Sequence, residues 1–239
     1  MQLIILAAGK SQRIFNKIKI NKCLIRYKQK TLIEKIITES KKYFKVTNIV
    51  VGFNHKLITR SLKKYTKINF IKNIFYDTKE MLFSIVLALK KINDDVVISY
   101  SDIIVSNKIW SILKKESKDC IMIPTSRNWR KVWKKRKKNI YDDAETLKTD
   151  RHNNLIEIGK KIKKGEKIKS QFMGIIFIPK DLIKPIIKIY NENKFEKYQT
   201  TQFLQILIKR KFKIKCIETN LYWYEIDDLM DLNQLKINK

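Results

Sequence analysis

The chain has 239 residues, of which 44% are hydrophobic, and this is enough to bury the core of one α/β domain. Its net charge of +30 comes mostly from lysines spread along the whole chain, which argues against a specific nucleic-acid reader built on arginine and favours anionic small-molecule substrates. Its three cysteines lie far apart and no apolar run is long enough to cross a bilayer, so we expect a cytoplasmic protein without a disulfide framework or membrane contact.

The first half of the chain alternates short apolar runs with amphipathic segments. The apolar runs are typical of strands that are buried on both faces, and the amphipathic segments have helical spacing. Thr31 and Glu34 have the spacing of a capping box at the start of one helix. We predict strands at residues 3–7, 46–53, 95–100 and 120–124, and helices at residues 31–44, 79–92 and 107–115.

From about Trp129 the pattern changes. Residues 144–160 predict two strands around a polar turn at residues 150–154. Further strands are predicted at residues 172–179 and 213–219, and further helices at residues 182–193 and 200–210.

The order of these elements predicts an α/β fold with a doubly wound, mostly parallel, Rossmann-like sheet. We expect one domain over residues 1–239, with a small antiparallel lid inserted at about residues 125–175. Ligands of such sheets bind beyond the carboxyl ends of the strands, so Gly9 and Asp102 are expected to lie close together there.

Small and basic residues follow the first strand directly. Small residues let the backbone approach a triphosphate, and the amides of a tight turn donate to phosphate oxygens. Arg13 and Lys22 add positive charge where a phosphorus under attack gains negative charge. An ordinary tight turn with basic neighbours is the alternative, because the motifs of dinucleotide folds and P-loops are both missing. The predicted nucleotide-binding residues here are Leu6, Ala7, Ala8, Gly9, Lys10 and Ser11.

Asp102 comes just after the third predicted strand of the core. A carboxylate at the mouth of a parallel sheet suits a magnesium ion that is held partly by substrate oxygens. The alternative is a helix cap, because Asp also follows strands in that role. Ser101, its neighbour, is predicted on the nucleotide-binding side.

Carboxylates also cluster near the end of the sequence, in the run WYEIDDLMDL. Glu225 and Asp227 alternate with apolar residues and would share one face of a short strand. The alternative is an acidic helix start stabilised by the helix dipole, and this fits Asp228 and Asp231 better than Asp227.

Two tryptophans four residues apart, Trp129 and Trp133, begin a basic run. By itself this run predicts an amphipathic basic helix that suits RNA or a membrane surface. The ordinary alternative is that the tryptophans pack in the core.

The loop and its lysine resemble the signature of the nucleotidyltransferase superfamily, roughly LAAGxGxRL…PK. Here Ser11 stands at the second glycine and Asn21 at the proline before Lys22. Serine is small enough for the loop, whereas the loss of the proline makes the positioning of the lysine an open point.

The middle of the chain resembles the phosphocholine-cytidylyltransferase-like branch, which includes enzymes for 2-aminoethylphosphonate and phosphoglutamine. The shared features are the paired tryptophans, a D-A-E-[ST]-L stretch, an I-E-I/L-G-K turn and a [QE]-[FY]-[MI]-G strand. The matching residues are Trp129, Trp133, Asp143, Ala144, Glu145, Thr146, Leu147, Glu157, Gly159, Lys160, Gln171, Met173 and Gly174.

The resemblance implies a magnesium-dependent transfer of CMP from CTP to a small phosphate or phosphonate acceptor. It implies Asp102 and Asp227 as Mg²⁺ ligands, with Glu225 in a supporting role on the acceptor side. Trp129 and Trp133 would lie over the active site. We hypothesise that Asp143 and Glu145 hold an ammonium group of the acceptor.

One position departs from the branch. Many members have asparagine before methionine at the nucleotide-side helix, whereas this chain has Glu80. Glutamate could reject an anion or accept a cationic donor, so the acceptor and the nucleotide stay open. Ser84 is predicted to contact the base or ribose, with a buried helix-face serine as the alternative.

Two other functions stay open. A sugar-1-phosphate nucleotidyltransferase would use UTP or GTP, and a basic nucleic-acid-binding protein would use the net charge alone. The sequence does not decide between a monomer and a homodimer.

Overall fold

The computed structural model describes residues 1–116, 119–136, 140–141, 144–163, 165–193, 195 and 197–237. The strands are β1 (Gln2–Ala7), β2 (Arg26–Tyr27), β3 (Lys30–Thr31), β4 (Thr47–Val51), β5 (Ile68–Lys72), β6 (Val96–Tyr100), β7 (Ile103–Val105), β8 (Ile121–Ser126), β9 (Glu145–Thr149), β10 (Leu155–Lys161), β11 (Gln171–Phe172), β12 (Ile175–Ile178), β13 (Ile214–Thr219) and β14 (Trp223–Glu225). The helices are α1 (Gln12–Ile18), α2 (Leu32–Ser40), α3 (His55–Ser61), α4 (Met81–Leu89), α5 (Lys108–Lys115), α6 (Trp129–Arg136), α7 (Lys180–Asn193), α8 (Thr200–Lys209) and α9 (Leu229–Ile237).

The central sheet is mostly parallel, as predicted. Its order is β13-β8-β12-β6-β1-β4-β5, with β11 next to the end of β8. Strand β1 is parallel to β4 and β6, and β5 and β13 are parallel to their own neighbours. Strand β12 is antiparallel to β6 and β8. The carboxyl ends of β1, β4 and β6 therefore meet at one edge of the sheet, where the loop after β1 and Asp102 both lie.

Helices cover both faces of the sheet, which confirms the doubly wound arrangement. On one face Ile4 and Leu6 of β1 pack in a cluster that includes residues of α4, α7 and α8. On the other face Leu3 and Ile5 pack in a cluster that includes residues of α2 and α5. Because alternate residues of a strand point to opposite faces, an almost continuous apolar run serves both cores.

The predicted capping box at the start of α2 is confirmed. The Thr31 hydroxyl accepts from the Glu34 N–H at 3.3 Å, and the Glu34 carboxylate accepts from the Thr31 N–H at 2.9 Å. The two bonds satisfy amides that would otherwise have no intrahelical partner.

Strands β9 and β10 form the predicted antiparallel hairpin. Its turn is closed by Asp150, whose carboxylate accepts from the backbone N–H groups of His152 and Asn154, each at 2.8 Å. The side chain of Gln205 in α8 accepts from the Ile158 N–H at 2.9 Å. The hairpin is therefore attached to the helix that begins beside it.

A small antiparallel pair was not predicted. Strand β14 pairs with β7, so that Glu225 lies opposite Ile103 and Trp223 opposite Val105. No strand was predicted after Asp102, because three residues are too few for a periodic signal. Within the described ranges, no helix combines the length and apolar character needed to span a membrane.

Gly174 offers a test of this packing. Its φ is 75°, and an added Cβ would lie 2.9 Å from the Tyr100 ring. Gly165 has a similar φ of 84° but open space around the added atom. We expect Gly165→Ala to lower the free energy of unfolding by about 1 kcal/mol through backbone strain alone. Gly174→Ala should lose a further 1–3 kcal/mol, roughly, from the clash with Tyr100.

Urea unfolding of the two variants measures both quantities. Equal losses in Gly174→Ala and Gly165→Ala would contradict the close contact between Gly174 and Tyr100.

Candidate active site

The loop after β1 forms one wall of a cavity. Ser11 has a φ of 51°, in the left-handed region, and α1 begins at the next residue. An added Cβ on Gly9 would meet nothing within 4 Å, so the backbone there faces open space. Ligand atoms can therefore approach the main chain closely, as expected for a phosphate-binding turn.

A second turn holds Lys22. Asn21 has φ −59° and ψ 133° and precedes the short 3₁₀ turn Lys22–Leu24. The Asn21 side chain is buried: it donates to the Phe53 carbonyl at 3.3 Å and accepts from the Asn54 side chain at 3.0 Å. This φ is one that proline also adopts, and the two hydrogen bonds attach the turn to the end of β4. The hydrogen bonds of Asn21 thus restrain the turn before Lys22 without a proline ring.

The pairing of β7 with β14 brings two distant carboxylates together. Asp102 directly precedes β7, Asp227 lies two residues after β14, and the Ile226 N–H donates to the Asp102 carbonyl at 3.1 Å. Carboxylate oxygens of Asp102, Glu225 and Asp227 all lie within 4.8 Å of one another. The helix-cap alternative for Asp102 is wrong, because the residue before α5 is Asn107.

The Lys22 ammonium lies between the two aspartates. Its Nζ is 2.9 Å from Asp102 Oδ2 and 3.3 Å from Asp227 Oδ1. Burial lowers the pKa of Lys22, but Asp102 and Asp227 outweigh this and hold it above its usual value. The group therefore stays protonated at physiological pH. Arg13 approaches the same Asp227 oxygen at 3.7 Å.

Two adjoining cavities meet at this cluster. The first has a volume of about 500 Å³ and is lined by the loop after β1, and the second, of about 670 Å³, extends to the β9–β10 hairpin and the start of α8. The residues that line both are Arg13, Glu80, Met81, Tyr100 and Asp227. Two ligands could therefore lie side by side and meet beside Asp227.

Most predicted nucleotide-side residues line the first cavity. Ala8 is buried, and its carbonyl accepts from the Phe53 N–H at 2.9 Å. Ser84 is also buried, accepts from the Asn73 side chain at 3.0 Å and lines neither cavity, which matches the helix-face alternative. The residues on the cavity wall are Leu6, Ala7, Gly9, Lys10, Ser11, Arg13, Lys22, Ser101, Asp102 and Asp227.

Glu145 and Glu225 line the second cavity. Burial raises the pKa of Glu145, although a hydrogen bond from Thr201 opposes the shift. Its backbone is held by Gln171, whose side chain donates to the Glu145 carbonyl at 2.6 Å and accepts from its N–H at 3.4 Å. The Glu145 carboxylate is thus fixed on the wall of the cavity.

The two tryptophans differ in position. Trp133 lines the second cavity, whereas Trp129 is fully buried and contacts Trp133 edge to face at a centroid distance of 5.3 Å. The core interpretation therefore holds for Trp129. Asp143, the other predicted ammonium ligand, lies outside the described residues.

Sequence reasoning missed several residues of the site. Tyr76 and Asp77 line the first cavity, and Asp77 forms an ion pair with Lys10. Tyr100 lines both cavities. Gly52 is needed because an added Cβ would lie 2.6 Å from Tyr76 and 2.7 Å from the Ala8 carbonyl. A glycine at the end of a strand was the available signal for this close approach.

The carboxylate cluster fits a hard divalent cation. Asp102 Oδ1 is buried and, among the described residues, accepts no hydrogen bond. Lys22 contacts the other oxygen of this carboxylate, so Oδ1 keeps an unused lone pair, and Mg²⁺ prefers carboxylate oxygens as ligands. Asp102 and Asp227, with Glu225 beside them, are the residues that would hold it.

Known proteins resemble the chain in sequence. The model of the MobA-like NTP transferase domain matches residues 3–164. The chain belongs to this family. It is also 32% identical to the CTP:phosphoglutamine cytidylyltransferase of Campylobacter jejuni subsp. jejuni serotype O:2, over 257 aligned positions that cover 100% of both proteins. The resemblance inferred from the sequence is confirmed, and this MobA-like NTP transferase is an enzyme of the nucleotidyltransferase type.

Solved structures share the fold of this MobA-like NTP transferase. The CTP:phosphocholine cytidylyltransferase of Streptococcus pneumoniae matches with a TM-score of 0.75 at 20% identity, covering 100% of this chain and 99% of that one. A UDP-glucose pyrophosphorylase matches with a TM-score of 0.74 at 16% identity, covering 99% and 97%. The common fold therefore does not distinguish a choline phosphate from a sugar phosphate.

The charge cluster of this MobA-like NTP transferase can be tested through stability. In metal-free buffer at pH 8, Lys22→Met should lower the free energy of unfolding by about 1–3 kcal/mol, because it leaves the clustered carboxylates without their cation. The pKa of Lys22 is raised above its usual value in the folded state, so its ammonium contributes its full stabilisation at and below pH 8. The destabilisation should therefore be the same at pH 7 and pH 8.

Lys10→Met is the matched control, because Lys10 pairs with the exposed Asp77. It should change the free energy of unfolding by less than about 1 kcal/mol at both pH values. Urea unfolding that gives Lys22→Met no greater loss than Lys10→Met would contradict the stabilising contact between Lys22 and the two aspartates.

Proposed function

We propose that the enzyme transfers CMP from CTP to a small phosphate or phosphonate acceptor that carries an amino group, and releases pyrophosphate. The observation that carries the proposal is the position of Lys22, Asp102 and Asp227 where two cavities adjoin. The relative named as a CTP:phosphoglutamine cytidylyltransferase, which aligns over the whole chain, supports CTP as the donor.

In the proposed reaction an acceptor oxygen attacks the α-phosphorus of CTP. A new P–O bond forms to the acceptor, the bond from the α-phosphorus to the bridging oxygen breaks, and pyrophosphate leaves with that oxygen. The acceptor phosphate is already an anion at neutral pH, so no strong general base is needed. Catalysis then rests on positioning and on stabilisation of charge.

The chain's own residues divide these tasks. The loop after β1 would bind the triphosphate through its amides, and Arg13 would stabilise the departing pyrophosphate. Lys22 would stabilise the charge that develops at the α-phosphorus, because its ammonium stays protonated. We place Mg²⁺ on Asp102 and Asp227, where its charge would offset that of the phosphates.

The second cavity suits the acceptor. Glu145 and Glu225 provide negative charge, and Tyr100, Phe172 and Trp133 provide aromatic surface. An ammonium group is stabilised by both, whereas an unsubstituted sugar needs neither. Glu80 lies where the two cavities adjoin. Its carboxylate would disfavour an additional anionic group of the acceptor beside it. The product would be a CMP-activated head group for transfer to a surface glycan or lipid, made in the cytoplasm.

A screen of donors and acceptors tests the function. Purified enzyme with Mg²⁺ and each of the four NTPs is incubated with phosphocholine, 2-aminoethylphosphonate, phosphoglutamine or a sugar-1-phosphate, and pyrophosphate release is measured. We expect release with CTP and an amino-bearing acceptor. Asp102→Ala and Lys22→Ala should fold but reduce kcat at least about a thousandfold.

Release with a sugar-1-phosphate and UTP or GTP alone would instead support the sugar-phosphate function, whose fold is shared. Wild-type rates in Asp102→Ala or Lys22→Ala would overturn the assignment of the site. Binding to nucleic acid that falls steeply with salt and ignores sequence would indicate charge alone.

A charge-neutral substitution tests the acceptor side. Glu145→Gln keeps the shape of the side chain but removes the charge that would face the ammonium. We expect the KM of an amino-bearing acceptor to rise about tenfold, which corresponds to about 1.4 kcal/mol, while the KM of CTP stays within about twofold.

Glu157→Gln is the matched control on the same hairpin. Glu157 pairs with Lys148 and Lys160 and lines neither cavity. Both kinetic constants should stay at wild-type values in this variant. An unchanged acceptor KM in Glu145→Gln would show that Glu145 does not bind the acceptor.

A further inference from the structure

Asp231 is an acidic residue without exposed surface, in the first turn of α9. Its Oδ2 accepts from the Asp227 N–H at 2.6 Å and from the Asp228 N–H at 3.1 Å. Burial of a carboxylate costs free energy unless hydrogen bonds compensate for the loss of water, and these two bonds provide that compensation. One of them reaches the backbone of the aspartate that contacts Lys22.

Asp228 also accepts hydrogen bonds from backbone N–H groups in this turn, but from different residues. Its Oδ1 accepts from the Met230 N–H at 2.8 Å and from the Asp231 N–H at 3.1 Å. Asp228 and Asp231 thus cap the start of α9 reciprocally, which agrees with the acidic helix start predicted for both. The bond from Asp231 to the Asp227 N–H is additional to helix capping.

The turn that carries Asp227 is held from two sides. Before it, the Ile226 N–H donates to the Asp102 carbonyl at 3.1 Å. After it, Asp231 accepts from Asp227, and Tyr224 Oη donates to the Asp231 carbonyl at 2.9 Å in a buried contact. One hydrogen bond on each side restrains the Asp227 main chain, so its carboxylate stays near Asp102 and Lys22.

We infer that Asp231 is a positioning residue, which fixes the backbone of Asp227 so that the Asp227 and Asp102 carboxylates converge on one cation. The inference rests on the proposed function in so far as that cation is the Mg²⁺ of nucleotidyl transfer. Outer residues of this kind hold ligands in place, and their loss typically weakens metal binding about 10–100-fold.

The test compares Asp231→Asn with Asp228→Asn. Both remove one negative charge and weaken the cap of α9. Asp231→Asn also weakens the bond that the Asp227 N–H donates, because a neutral amide oxygen is a weaker acceptor than a carboxylate, whereas Asp228→Asn leaves that bond unchanged. Binding of the Mn²⁺–CTP complex is measured by water-proton relaxation enhancement as protein is added. We expect the dissociation constant to rise about tenfold in Asp231→Asn and less than about twofold in Asp228→Asn.

Kinetics provide a second readout. In Asp231→Asn the Mg²⁺ concentration for half-maximal rate should rise about tenfold, while kcat at saturating Mg²⁺ stays within about threefold of the wild type. If the substitutions only destabilised the fold, the unfolding midpoints of both variants would change. The Mg²⁺ dependence of both would then stay at the wild-type value.

Equal Mn²⁺–CTP binding by the two variants, with normal binding by the wild type, would overturn the role of Asp231 and leave the proposed function intact. A wild-type protein that neither binds Mn²⁺–CTP nor releases pyrophosphate would overturn both.

Discussion

The site depends on one electrostatic contact, between the Lys22 ammonium and the carboxylates of Asp102 and Asp227. The lysine is 80 residues from the first aspartate and 205 from the second, so the contact joins the beginning, middle and end of the fold. Clustered carboxylates repel each other, and the ammonium offsets that repulsion in a partly buried setting. In the proposed function the same three groups would supply both the negative charge for a divalent cation and the positive charge for a phosphate.

The architecture explains how this contact is maintained. Parallel strands β1 and β6 place the loop after β1 and Asp102 at one edge of the sheet, and the small β7–β14 pair brings Asp227 to the same point. The second cavity is lined by a hairpin that is attached to α8 through Gln205 and to the sheet edge through Gln171. Strands and helices therefore form the walls of both cavities, and the proposed reaction, which needs positioning more than acid–base chemistry, would suit such a scaffold.

Much of the fold and part of the candidate site could be predicted from the sequence. The buried strand β1 has an almost continuous apolar run, β4 ends in a shorter one, and α2 has a capping box, so local signals identify them. A short strand was predicted around Glu225, but its pairing with β7 has no such signal, because β7 has only three residues and lies far from β14 in the chain. Asp102 was predicted from its place at the end of a strand together with the loop motif, and Asp227 through the resemblance, whereas their contact with Lys22 is a product of the tertiary fold.

Other features of the site depend on tertiary packing, which the spacing of apolar residues in the sequence does not predict. Ser84 lies on the inner face of α4 beside Asn73, and the sequence left this possibility open against a contact with the nucleotide. Tyr100 borders both cavities because Gly174 leaves room for its ring. Trp129 and Trp133 are four residues apart on one helix, so the sequence does not distinguish their positions. In the structure Trp129 lies in the core, whereas Trp133 lines a cavity.

The most direct measurement of the central claim is ³¹P NMR of the enzyme with Mg²⁺, CTP and 2-aminoethylphosphonate or phosphoglutamine. We expect the CTP signals to be replaced by equal amounts of pyrophosphate and of a conjugate in which the acceptor phosphorus and the CMP phosphorus are coupled through one oxygen. Formation of free CMP without the conjugate, or of a conjugate with UTP and a sugar phosphate alone, would contradict it.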